Sequence, residues 1–217
     1  MIARLVSVPI LLMIGVYALV IGLAEARVSA QIDRPLVQIL AEASGGAIIL
    51  LPARSHRFRR AQMDVCLRSA SDPAALVFPP SAVAALAFAC QERAAGILAD
   101  APANAAALAV ASQTHGAQFL DRSWASAPFE GWLAAHRFAL GLARPATASG
   151  TLVYEGMADD AALLVGLGQV DQVAIAYVDL EGFRKVFASK IATLPAADQR
   201  RFLAAAEALR SGGDDGL

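Results

Sequence analysis

A chain of 217 residues with a formal net charge of −1 is long enough for one or two domains. It has no overall pull toward nucleic acid or acidic lipid, so a binder of polyanions would need a local basic patch. Hydrophobic residues make up 57% and charged residues 17%, against roughly 45–50% and about 25% in ordinary soluble domains. Much of the excess is alanine, which favours helix.

Residues 1–4 form a short N-terminal tail. Residues 5–24, LVSVPILLMIGVYALVIGLA, carry no charge between Arg4 and Glu25. As a helix this segment is about 30 Å long, the thickness of a bilayer's hydrocarbon core. Pro9 falls near its start, where a missing N–H costs least. The expectation is a transmembrane anchor in contact with the lipid bilayer. A cleaved signal peptide competes, with Val28-Ser29-Ala30 as its small-x-small site, but signal h-regions run about 7–15 residues. A buried core helix is the third alternative. Ala18 and Gly22 make a small-xxx-small pair that permits two anchors to pack closely as a homodimer.

Orientation rests on few charges. Arg4 and the α-amino group lie on one side, Arg27 and Arg34 on the other, close to a tie by the positive-inside count. Arg54, Arg57, Arg59 and Arg60 would favour a cytoplasmic body, but they lie about 30 residues beyond the span, outside the strongest window. A single early span behaving as an uncleaved signal places the N-terminus inside. That makes a single-pass protein of a bacterial inner membrane with a periplasmic body.

Residues 25–34 read as a polar connector, and 35–210 as the body. Asp33 before Pro35 has the pattern of a cap on a proline-initiated turn, and PLVQILAEAS should stop before Gly45-Gly46. Residues 47–52, AIILLP, are too short to span a bilayer, and periodicity does not decide between strand and helix. RSHRFRR leads into a helix over about 55–70, and SDPAALVFPPS is a loop. Ser81 is a suitable N-cap for AVAALAFACQERAAGILAD. APAN is a tight turn into AAALAVASQTHGAQFLD, so these two helices should be antiparallel neighbours. In PFEGWLAAHRFALGLA, Phe129, Trp132, Leu133, His136 and Leu140 share an arc, with Glu130 and Arg137 on the other side. ARPATASG is a linker. DDAALLVGLG and LEGFRKVFASKIATL read as helices, while residues 171–179 alternate like a strand at Val173, Ile175 and Tyr177 and stay open. Pro195 begins a last helix with Phe202, Leu203, Ala206 and Leu209 as its stripe. Residues 211–217 are a flexible tail.

About seven short helices with small-residue contacts suggest stacked helix pairs. Leu98, Pro102, Asn104 and Ala107, in QERAAGILADAPANAAALAVA, resemble a tetratricopeptide-type junction over about 30 residues. The Trp, Gly and Tyr of that repeat's first helix are absent. Together with the anchor and Asp198 to Ala206, the chain is similar to uncharacterised single-span bacterial proteins with degenerate helical repeats. The resemblance implies a scaffold or assembly role beside envelope polysaccharide export or assembly machinery, and assigns no catalytic residue.

No motif supplies a metal site, a nucleotide loop or a catalytic serine elbow, so no catalytic residue, cofactor or metal is expected. His56, His115 and His136 share no ligand spacing, and His136 reads as a partly buried partner of Trp132. Gly166-Leu167-Gly168 reads as a helix stop with Gly168 at C′. Asp159-Asp160 reads as a pair in a helix's first turn. The cluster Arg54, Arg57, Arg59 and Arg60, interleaved with Phe58, reads as a solvated helix face or as a patch for an anionic lipid or polymer; nucleic acid is not expected beyond the cytosol. Cys66 and Cys90 are either one disulfide of an exported domain, worth roughly 3–4 kcal/mol by loop closure, or two small buried fillers.

The sequence thus leads to an all-α protein: an N-terminal transmembrane helix, then an irregular helical-hairpin domain of tetratricopeptide-like or α-solenoid type. The expected function is a membrane-anchored scaffold or adaptor for an unidentified envelope protein. Two alternatives stand beside it: an enzyme with dispersed site residues and His115 or His136 as base, or an anionic-lipid or polymer-binding module.

Overall fold

The structure, a computed structural model, describes residues 2–46, 48–144 and 150–212. Among them every regular element is helical, with eleven α-helices, one 3-10 turn and no strand. The expected linker around residues 145–149 and most of the expected tail fall outside these residues; residues 211 and 212 belong to the last helix. The chain divides into two compact units, residues 1–97 and 98–217.

In the first unit α1 (Ile2–Ile32) is a single helix. It therefore runs unbroken through residues 25–32, which the sequence suggested as a connector. Pro9 lies past its first turn rather than at its start. From Ile10 to Leu23 the large apolar side chains other than Ile21 are 47–67% exposed. Beyond Glu25 the helix changes character, and Val28 is 1% exposed.

Helix α2 (Leu36–Ser44) buries Leu36, Ile39, Leu40 and Ala43, and its N-cap is Pro35, with no side-chain cap. Asp33 instead accepts from the Ser29 hydroxyl at 3.2 Å. Gly45 and Gly46 follow the helix, as expected. Residues 48–54 are neither strand nor helix. Their backbone polar groups are met by side chains: Gln31 accepts from the Leu51 N–H (3.1 Å) and donates to the Ile49 carbonyl (2.8 Å). Gln62 donates to the Leu51 carbonyl, and Arg59 and Arg93 both donate to that of Ala53. An irregular segment tolerates burial only with such partners.

Helix α3 (His56–Ser69) starts where Ser55 accepts from the Phe58 N–H, a hydroxyl N-cap. After a 3-10 turn (Pro73–Val77), α4 (Pro80–Asp100) begins one residue before the suggested Ser81 cap. It buries Ala82, Leu86, Ala89, Cys90, Ala94 and Ile97, a stripe at helical spacing. Its apolar character is also sufficient, by length and composition, for a membrane crossing, with a third of its most apolar window buried.

The second unit holds α5 (Ala105–His115), α6 (Ala117–Ser126), α7 (Gly131–Leu142), α8 (Gly150–Gly166), α9 (Asp171–Asp179), α10 (Glu181–Ile191) and α11 (Ala196–Gly212). Asn104 caps α5 by accepting from the Ala107 N–H at 2.9 Å. The stretch read as one helix through residue 121 breaks at Gly116, whose φ of +102° favours glycine. The main neighbour of α5 is then α6. Residues 171–179, ambiguous by pattern, are helical because Val173, Ala174 and Ala176 are buried together. Helix α8 ends before Gly168 (φ +82°), with the Gln169 N–H on the Leu164 carbonyl, the expected glycine stop.

Helix α8 is a hub, touching α6, α7, α9, α10 and α11. That is a bundle around one helix; in a solenoid each repeat touches its neighbours alone. Its core links Phe138, Phe183, Phe187, Phe202 and Tyr177 through ring contacts of 5.2–5.6 Å. On α11 Phe202 and Ala206 are buried, whereas Leu203 and Leu209, expected in the same stripe, are 47% and 42% exposed.

Candidate functional site

Three places bring chemistry together. The first is the junction at the end of the apolar stretch. Glu25 lies one residue past it, and one carboxylate oxygen accepts from the Arg54 N–H (2.7 Å) and the Ser55 N–H (3.0 Å). The other accepts from the Ser55 hydroxyl at 3.1 Å. The glutamate thereby fastens the start of α3 to α1, which pack on each other. The sequence placed Arg54, Arg57, Arg59 and Arg60 about 30 residues from the apolar stretch; the fold brings the turn that carries Arg54 and Arg57 back beside its end. Arg54, Arg57 and Arg60 are exposed, and Arg57 lies over the Phe58 ring at 5.9 Å. Arg59 is turned inward to the Ala53 carbonyl at 3.1 Å. Ala18 and Gly22 are exposed on α1, with nothing within 4 Å of a Cβ built on Gly22.

The second place is the link between α3 and α4. Cys66 and Cys90 form a disulfide with their Cα atoms 5.6 Å apart, and both residues are 1% exposed. Beside them Gln62, also 1% exposed, accepts from Arg93 Nε at 2.9 Å.

The third place escaped the sequence. Arg137, expected on the outer side of α7, is 0% exposed, and so is Asp160. The two form a bidentate pair: Arg137 Nη2 donates to Asp160 Oδ1 at 2.5 Å and Nε to Oδ2 at 3.1 Å. Arg137 Nη1 also donates to the carbonyls of Ser123 (3.2 Å) and Ala127 (2.8 Å) at the end of α6, the first of which also accepts from the Ala127 N–H. Trp124 Nε1 completes the cluster on Asp160 Oδ2 at 2.6 Å. One ion pair thus locks α6, α7 and α8. Burial pushes the Asp160 carboxyl up to about 6, against the opposing pull of Arg137 and Trp124. Asp159 and Asp160 are therefore not a first-turn pair: they sit well inside α8, Asp160 buried and Asp159 exposed and ion-paired with Lys190.

Trp124 can lie this close to α8 because residue 156 is glycine; a Cβ there would meet the indole at 2.3 Å. Next to it opens a cleft of about 380 Å³, lined by Asp121, Trp124, Pro128, Glu155 and Asp159 among others. Burial raises the Asp121 carboxyl while Arg144 pulls it the other way. His115 contacts the Thr114 hydroxyl at 2.5 Å and the Phe119 ring edge-on. His136 meets Trp132 edge-on at 6.4 Å, the partnership the sequence suggested. No signal in the local pattern marks Arg137, since its partner lies 23 residues away.

Comparison with known protein families, with curated proteins and with solved structures finds no match to this chain.

Proposed function

We propose that the protein is a membrane-anchored helical adaptor, tethered by α1, that holds its body at the bilayer surface to bind a protein partner in the envelope. The observation that carries the anchor is the continuity of α1. The bare apolar stretch and the docked segment from Glu25 to Ile32 are one helix. Cleavage after Ala30 would remove Glu25 and Val28, and with them the fastening of α3 and a buried core residue. That argues for an anchor over a removed signal. Helix α4, the other apolar candidate, contributes its stripe, Cys90 and Arg93 to the first unit, which argues for a place in the body. The disulfide favours an oxidising compartment and so a periplasmic body.

Open apolar side chains favour a protein partner. Ile49 and Phe88 are 73% and 69% exposed beside a cleft of about 270 Å³ in the first unit, and such surface commonly marks interaction sites. The deciding experiment combines alkaline carbonate extraction of intact membranes, N-terminal sequencing of the mature chain, and a compartment-sensitive reporter at the C-terminus. The proposal expects membrane retention, an uncleaved N-terminus and a reporter active outside the cytosol. Release by carbonate, or a mature chain beginning near residue 31, overturns the anchor; a cytosolic reporter overturns the placement.

A further inference from the structure

The route of the chain around Glu25 sets the depth of each charge relative to the apolar stretch. Gln31 holds Ile49 and Leu51, whereas Glu25 holds Arg54 and Ser55. Six residues of helix separate these two levels, about 9 Å. Residues 49–55 therefore descend along α1 toward the apolar stretch. Helix α3 then climbs away, because Arg59 reaches back to Ala53 and Gln62 to Leu51. The turn from Ala53 to Phe58 is the part of this loop that lies level with the end of the apolar segment.

That turn is basic. Arg54, His56 and Arg57 are exposed on it, and Arg27 is exposed on α1 two residues past Glu25. The unpaired N–H groups of a helix start add partial positive charge at the same place. Glu25, the acidic residue at this level, accepts from Arg54 and Ser55; its charge offsets one of Arg27, Arg54 and Arg57 and leaves the level net positive. A basic turn fixed beside the end of a lipid-facing helix meets one anionic surface in particular: the phosphates of the bilayer that the helix enters.

We propose that the Ala53–Phe58 turn, with Arg27 beside it, is a docking collar for the headgroups of anionic phospholipids. The proposal rests on the anchor reading above. The collar fixes the depth and orientation of the first unit, since Glu25 ties it to α1 on one side and α3 carries it into the core on the other. An arginine at an anionic membrane surface gains about fivefold in binding, and the gain is screened by salt.

The test is amide hydrogen exchange on the full chain in nanodiscs of pure phosphatidylcholine and of phosphatidylcholine with phosphatidylglycerol. In the anionic discs, residues 53–60 should exchange about fivefold more slowly or better, and high salt should abolish the difference. The R54Q/R57Q variant should lose it while residues 10–24 stay protected. Equal exchange of residues 53–60 in both lipids, with 10–24 protected, overturns the collar and leaves the anchor standing. Rapid exchange across 10–24 in both lipids overturns the anchor and the collar together. Should the variant fail to fold, the comparison of the two lipids and of two salt concentrations on the natural chain still decides.

Discussion

Replacing Asp160 by asparagine tests the energetics of the buried cluster. Asparagine keeps the shape of the side chain and one acceptor oxygen, but cannot ionise. In the folded chain burial lifts the Asp160 carboxyl from 3.8 to about 6. The folded state therefore holds this proton more tightly than the unfolded state, so stability is greatest at low pH and falls as pH rises from 4 through 6. The loss is on the order of 3 kcal/mol. Asparagine escapes that pH-dependent loss, but at every pH it leaves the buried Arg137 cation with a neutral partner and turns its amide N–H groups toward an N–H donor. That cost is the same at pH 4 and pH 7, so the test is the difference: from pH 4 to pH 7 the natural chain should lose stability relative to the variant, by up to roughly 3 kcal/mol. The assay is urea unfolding of the full chain in non-ionic detergent at pH 4, 5.5 and 7. The chain has two tryptophans, Trp124 and Trp132, both in the second unit, so their fluorescence reports that unit. Other titrating groups are common to both proteins and cancel in the difference. A natural chain that loses stability relative to Asp160→Asn on going from pH 7 to pH 4 would refute the reasoning.

The opposite perturbation should be costly. Arg137→Met leaves Asp160 with Trp124 alone and takes the arginine donor from the carbonyls of Ser123 and Ala127, so it should lower the same unfolding free energy by about 3–5 kcal/mol. Gly156→Ala drives a methyl into the Trp124 indole and should cost about 1–3 kcal/mol, with a shift in tryptophan emission as its signature. Glu25→Ala should speed amide exchange over residues 48–58 and destabilise the first unit by about 1–3 kcal/mol, without altering exchange in the second unit. Reducing the Cys66–Cys90 bond, which closes a separation of 24 residues, should cost about 3–4 kcal/mol, read as a lower urea midpoint for the first unit.

Local signals in the sequence were good guides to local structure. The uncharged run became the bare part of α1, Gly45-Gly46 closed α2 and Gly168 ended α8, whereas neither Asp33 nor Ser81 is the cap suggested for it. These features are governed by a few adjacent residues, so a short window contains their cause. Residues 171–179 stayed open because alternation over a short apolar run fits strand and helix alike. Arg137 was misplaced for a different reason. A charge is assigned to the outside unless its partner is known, and Asp160 is brought to it by the packing of α7 on α8. The basic turn was undervalued similarly: counted along the chain Arg54 and Arg57 are remote from the apolar stretch, yet Glu25 holds Arg54 and Ser55 at its end. The candidate site is thus a product of tertiary contacts between residues 10 to 36 apart, each unremarkable alone.

The unbroken helix from Ile10 to Ile32 has a mechanical consequence. A flexible tether would let the body swivel independently of its anchor. In the proposed anchor, Val28 and Gln31 are gripped by the first unit while the same rod would enter the hydrocarbon. A span longer or shorter than its bilayer adjusts by tilting, and the first unit must lean with it. Under that proposal membrane thickness would be a determinant of the posture of this unit.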